Sequence, residues 1–301
     1  MKHIILVFNL INFVTSDLLK DKNGFENKHN TDDIDFKILA DHTKVTNSHT
    51  FPYVVAILKK DGYLSAGALL DDRWVITAAD SLYLLGNALR LIRVRLGSIN
   101  QKKGGIILPV KNIEIHPKFD DNNPKFDIAL LRLSQNVRLT NNLYPIRLQT
   151  TPEEITGTHF IVTAWFAKHP PTNSGLIEPL DTIKQRRILS VSHLHPLDPE
   201  QCDKELDAVD INSTDTIMCL DQPPGVDPCM RETGAPVVLN RVLWGIVSSW
   251  TPEDCNRKTY PTFVTLVGSR DVNLWIKSIT YKKREDIMQP EFEYEDNYLN
   301  L

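Results

Sequence analysis

The run Asp227-Pro-Cys-Met-Arg-Glu-Thr-Gly-Ala-Pro-Val-Val238 crowds reactive groups together. It holds carboxylates at Asp227 and Glu232, a thiol at Cys229, a guanidinium at Arg231 and a hydroxyl at Thr233. A threonine hydroxyl acts as a nucleophile only beside a suitable base, and its β-methyl restricts χ1. The run therefore depends on groups brought from elsewhere in the chain. Cys229 is one of four cysteines, with Cys202, Cys219 and Cys255. In an exported chain four cysteines imply two disulfides, and three pairings are open. Asn212-Ser-Thr214 is an acceptor sequence for N-glycosylation, which places Asn212 in a surface loop. His193-Leu-His195 puts two imidazoles on one face of a strand. Two ligands do not make a metal site, and the other His, Asp and Glu residues show no recognisable ligand spacing. No metal and no other cofactor is expected.

The elements that position these groups are short strands. The 301 residues are 42% apolar and 24% charged, an ordinary globular composition, and the net charge of −4 argues against nucleic acid as a partner. Residues 1–16 combine a basic start, an apolar run and small residues at Val14 and Ser16, the pattern of a signal peptide for secretion. Residues 17–37 are polar without apolar periodicity and read as a flexible prosegment. No later stretch is long and apolar enough for a membrane span. Short apolar runs broken by turns follow: 52–58, 67–70, 74–76, 91–96 and 106–110, then 160–165, 187–191, 236–239, 243–247 and 262–267. Such spacing indicates an all-β barrel or sandwich. Val272, Trp275, Ile276 and Ile279 have helical spacing over 271–279. Beyond that, 281–301 reads as an acidic, solvated tail, with Glu291-Phe-Glu-Tyr-Glu-Asp296 placing acids around Tyr294, a candidate for sulfation.

Four blocks in order resemble the secreted trypsin-like serine proteases (peptidase S1). The run 227–238 is similar to that family's D-x-C-x-G-D-S-G-G-P-L-V. Asp72-Arg-Trp-Val-Ile-Thr-Ala-Ala-Asp80 resembles W-V-L-T-A-A-H-C, Phe126-Asp-Ile-Ala-Leu-Leu-Arg-Leu133 resembles D-I-A-L-L-R-L, and Gly245-Ile-Val-Ser-Ser-Trp250 resembles G-I-V-S-W-G. The resemblance covers residues 38–280. It implies two packed antiparallel six-stranded β-barrels with a short C-terminal helix. It selects the disulfides Cys202–Cys219 and Cys229–Cys255. It also matches the ends of two missing bridges, Ser65 with Ser81 and Phe160 with Leu239.

The same resemblance shows what has changed. Asp80 stands for the catalytic histidine, Thr233 for the serine and Arg231 for an oxyanion-hole glycine, while Asp127 is kept. A triad needs a nucleophile, a base that carries one proton both ways and an acid that orients it. A carboxyl with an ordinary pKa of about 3.9 is a poor proton acceptor at neutral pH. His42, His49, His116, His193 and His195 do not match the catalytic position. An ion pair between Arg231 and Asp80 is a further expectation. Lys37-Ile38 resembles the activation junction, with Glu232 as the acid the freed amine would meet; alternatively Lys37 is an exposed, uncut lysine. Asp227, Trp250 and Thr262 match specificity-pocket positions, with Trp250 either filling the pocket mouth or standing one place out of register. The expected function is that of a secreted pseudoprotease that works by binding an extracellular protein, such as an active protease, its substrate or its inhibitor. The alternative is a weak trypsin-like endopeptidase using Thr233.

Overall fold

The computed structural model describes residues 43–60, 62–83, 85–150, 159–165, 187–212, 215–222, 229 and 231–288. The expected signal peptide, prosegment, Lys37–Ile38 junction, Asp227 and the segment around Tyr294 lie outside them.

Six antiparallel strands close the first barrel: β2 (Val54–Lys59), β3 (Gly62–Leu69), β4 (Trp74–Thr77), β5 (Ile92–Leu96), β6 (Ile106–Ile115) and β7 (Ala129–Leu133), in the spatial order β2-β3-β4-β7-β6-β5. Period-two patterning decides which way each strand faces. In β5, Ile92, Val94 and Leu96 are fully buried, while Arg93 and Arg95 point outward. In β4 all four residues are buried, because both faces are covered. Val55, Ile57, Leu69, Val75, Leu131 and Leu133 are among the residues filling the interior.

The second sheet carries β9 (Phe160–Ala164), β10 (Ser190–Leu194), β11 (Ile217–Leu220), β12 (Pro236–Leu239), β13 (Val242–Val247) and β14 (Thr262–Leu266), ordered β10-β9-β12-β13-β14-β11 and antiparallel throughout. A bridge between Pro196 and Leu220 brings the chain after β10 back to β11 and draws the six strands into a barrel. β1 (Thr43–Lys44) adds to the edge at β10, and β8 (Arg147–Leu148) lies parallel to β13. The β12–β13 hairpin turns on Asn240 and Arg241, both at positive φ (51° and 61°), the geometry that suits the right-handed twist of the strands.

Three departures from the sequence reading have local causes. β3 begins at Gly62 and β6 runs to Ile115, because partner strands extend the ladder past the apolar run. β10 lies three residues later than the 187–191 run, with Ile188 instead bridging Asn100. A helix at Pro199–Asp207 was not anticipated; its signal is Asp198, whose carboxylate accepts from the Gln201 N–H at 2.9 Å, followed by Pro199 in the first turn. We number the helices α1 (Asp80–Tyr83), α2 (Pro199–Asp207) and α3 (Arg270–Met288).

Both expected disulfides are present. Cys202–Cys219 ties α2 to β11, where Leu206, Ile217 and Phe263 complete a small buried cluster, and Cys229–Cys255 ties the segment before β12 to the one after β13. α3 buries Val272 and Ile276 and continues beyond Ile279, where the apolar spacing ends. Lys282, Lys283 and Arg284 are good helix formers and favour that continuation.

Candidate functional site

Four segments converge where the two barrels meet. Asp80 leaves β4 to open α1, Asp127 precedes β7, Thr233 precedes β12, and Ser248 and Ser249 follow β13. Asp127 is 1% exposed, and every acceptor on its carboxylate is engaged. Oδ1 accepts from the Asp80 backbone N–H at 2.9 Å. Oδ2 accepts from the Ser248 hydroxyl at 2.7 Å and the Ser249 N–H at 2.9 Å, with the Ser249 hydroxyl 3.3 Å away. The backbone of Asp127 is held as well, its carbonyl accepting from the Thr265 hydroxyl at 3.4 Å. Burial raises the Asp127 pKa above the usual carboxylate range, and the neighbouring Asp80 charge adds to this; the bonds from Asp80, Ser248 and Ser249 work against it.

Asp80 turns its own carboxylate to Ser249, whose hydroxyl donates to Oδ2 at 2.6 Å. One hydroxyl thus spans two carboxylates. In a working triad the buried acid accepts from the ring N–H of the base; here Ser249 supplies the donor on that side of Asp127. Ser249 was not singled out from sequence. Its only signal there is a second serine in Gly245-Ile-Val-Ser-Ser-Trp250, where the family pattern has tryptophan.

Thr233 sits on a turn fixed by its neighbours. Its carbonyl accepts from the Ala66 N–H at 3.0 Å, and Gly234 follows at φ +76°, where a Cβ would lie 2.2 Å from the Ala66 carbonyl oxygen. The Thr233 hydroxyl lies 3.5 Å from the Arg231 carbonyl, and no hydrogen bond joins it to Asp80 among the described residues. The expected Arg231–Asp80 pair is not formed. The Arg231 guanidinium instead gives Nη2 to the carbonyls of Tyr260 and Pro261, at 3.3 and 3.4 Å. Those carbonyls lie on the strand entry before β14, and reaching them turns the side chain away from Asp80. Glu232 lies close enough to Tyr63 that its charge, after burial, helps push the phenol pKa well up.

No described histidine reaches the site. His116 is buried, stacked on Phe126 (4.6 Å, 10°) and edge-on to Trp275. His49 bonds to Asn47, and His193 and His195 lie beside His159 on the second barrel. Among the described residues no His, Cys, Asp or Glu group is arranged to hold a metal. Trp250 turns its ring onto Phe263 (5.5 Å, 61°) and the cluster beside α2, while Thr262 is buried at the start of β14. Asn212 is exposed in the loop between α2 and β11, as a sequon residue needs to be. Ser65 and Ser81, matched to a missing disulfide, face each other with their hydroxyl oxygens 3.3 Å apart.

Two antiparallel barrels with a buried aspartate at their junction define the architecture of the chymotrypsin-type serine proteases. The family model for Trypsin matches residues 41–276, and the chain belongs to that family. Similar proteins include Trypsin 5G1 of Aedes aegypti, 27% identical over 72% of this chain and 76% of that protein. Human Kallikrein-15 is also 27% identical, over 73% of this chain and 83% of its own length. Among solved structures, mouse neuropsin, a serine protease expressed in the limbic system, superposes with a TM-score of 0.61. It covers 80% of this chain and 99% of the other at 23% identity, a likeness of fold.

Proposed function

We propose that this trypsin-family chain is a secreted, catalytically inactive protease homologue that acts by binding another extracellular protein. The observation that carries this reading is the Asp80–Ser249–Asp127 arrangement. A proton shuttle has to leave the acid, reach the nucleophile and return. Here both oxygens of the acid accept from other groups, the residue in the base position is a carboxylate bonded to a serine, and Thr233 lies off that network. Arg231 in an oxyanion-hole position adds to the deficit, since one lost donor there costs on the order of 100- to 1000-fold in rate. Loss of triad members costs about 10⁴- to 10⁶-fold in kcat, not additively. Secretion is supported by residues 1–16 and by two disulfides, which persist in oxidising compartments. No helix among the described residues is long and apolar enough to cross a membrane.

The test is an amidase assay on the secreted protein, before and after cleavage at Lys37, with Lys- and Arg-terminated peptide substrates. Turnover is expected to equal that of Thr233→Ala. Turnover that Thr233→Ala abolishes would instead establish a weak trypsin-like endopeptidase using Thr233, with Asp227 as the acid that receives the basic side chain.

A further inference from the structure

The outer face of β5 carries Arg93 and Arg95 between buried neighbours, as its alternation requires. Cross-strand pairing sets Leu58 of β2 beside Arg93 and Ile107 of β6 beside Arg95. The turn after β2 adds Lys60, and the 3-10 helix at Gly86–Leu91 adds Arg90. Together they line a cleft of about 560 Å³ on the first barrel. Among the described residues every charged side chain lining it is cationic, on a chain whose net charge is −4.

Arg93 and Arg95 are held in place by backbone carbonyls. The Arg93 guanidinium donates to the carbonyls of Arg90 and Ile92, at 2.7 and 3.0 Å. Arg95 donates to the carbonyls of Gln101, Gly104 and Lys102, at 3.1, 2.5 and 3.2 Å. Among the described residues no carboxylate pairs with Lys60, Arg90, Arg93 or Arg95. A guanidinium anchored to backbone carbonyls keeps its full charge while losing little further side-chain freedom when an anion arrives. Between the charges lie two accessible apolar side chains, Leu91, which is half-buried, and Ile107, which is 46% exposed.

We infer that this cleft is a docking site for an acidic peptide segment of a partner protein, one that alternates carboxylates with apolar or aromatic side chains. Such a strand answers both features of the surface: its acids meet the cations, and its apolar side chains cover Leu91 and Ile107. A sulfated polysaccharide answers only the first. None of the lining residues belongs to the triad positions, so the site stands whether or not the chain turns over substrate.

The test uses the full secreted chain and a labelled peptide alternating glutamate with phenylalanine. Controls are the same peptide with glutamine for glutamate, and heparin. The acidic peptide should bind, and weaken as salt is raised, because exposed charges are screened over about 10 Å at 0.1 M. Lys60→Glu with Arg90→Glu should weaken it about tenfold or more, with thermal melting unchanged. These two side chains hold no backbone group in place; if the pair nevertheless misfolds, Arg90→Gln alone serves. The inference is overturned if the acidic peptide does not bind, if the glutamine peptide binds as well, if the reversals leave binding unchanged, or if heparin alone binds.

Discussion

A carboxylate in the place of an imidazole changes the job of every group around it. On the function proposed above, Asp80 is no proton carrier for Thr233; its carboxylate accepts from Ser249, whose hydroxyl sits between two acids. Restoring Asp80→His alone should therefore give no measurable amidase activity. The Ser249 hydroxyl still competes for Asp127, Thr233 remains restricted at χ1, and Arg231 still stands in the oxyanion position. The combined variant Asp80→His, Ser249→Trp, Thr233→Ser, Arg231→Gly should raise kcat/KM on Arg-terminated amides by at least about 10³-fold over the parent, because triad members act as a unit. Activity in the single Asp80→His variant would show that the Ser249 network is not what blocks the site. Sequence points to Asp80, Thr233 and Arg231 as departures from the family pattern, because the surrounding frame of Gly234, Pro236 and Asp127 matches it. It did not reveal the new hydrogen bonds. Arg231 looked like a counter-ion for Asp80, and only folded geometry carries it to Tyr260 and Pro261.

Between β3 and α1 a polar contact stands where the family resemblance places a disulfide. Ser65 is 1% exposed, and its hydroxyl lies 3.3 Å from that of Ser81 and 3.4 Å from that of Thr77. Ser65→Cys with Ser81→Cys should oxidise to a disulfide closing a short loop, 16 residues apart in sequence. Loop-closure entropy gives about 3 kcal/mol for such a span, less any native strain. Intact mass should fall by two hydrogens on oxidation and the melting temperature should rise; a reduced pair that resists oxidation would mean the backbone holds the two positions too far apart. The strands whose apolar residues alternate or cluster, such as β4, β5 and β12, were legible from period alone. β11 and α2 were not, because Ile217–Leu220 is too short a run to announce itself and Pro199–Asp207 is largely polar outside Cys202 and Leu206. Their place is set by the Cys202–Cys219 bridge and the cluster around Phe263, which are long-range facts.

Across the whole molecule, Asp127 joins the two barrels. Asp127 belongs to the first, its main donors Ser248 and Ser249 to the second, and its carbonyl also receives Thr265. A buried carboxylate in this position has a pH signature with a definite sign. Its folded pKa is raised above the ordinary 3.8, so the folded state holds the proton more tightly than the unfolded chain. The resulting stability is fully present below the ordinary value and is lost as pH rises through the raised one. Asp127→Asn removes that titration while keeping the shape. Melting curves of both proteins from pH 3 to pH 7 should show the parent losing ground to the variant as pH rises, with the difference levelling off once Asp127 is ionised in the folded state. A parent that instead gains on Asp127→Asn with rising pH would mean that the three donors outweigh burial. The buried acid would then be a net source of cohesion between the barrels at neutral pH.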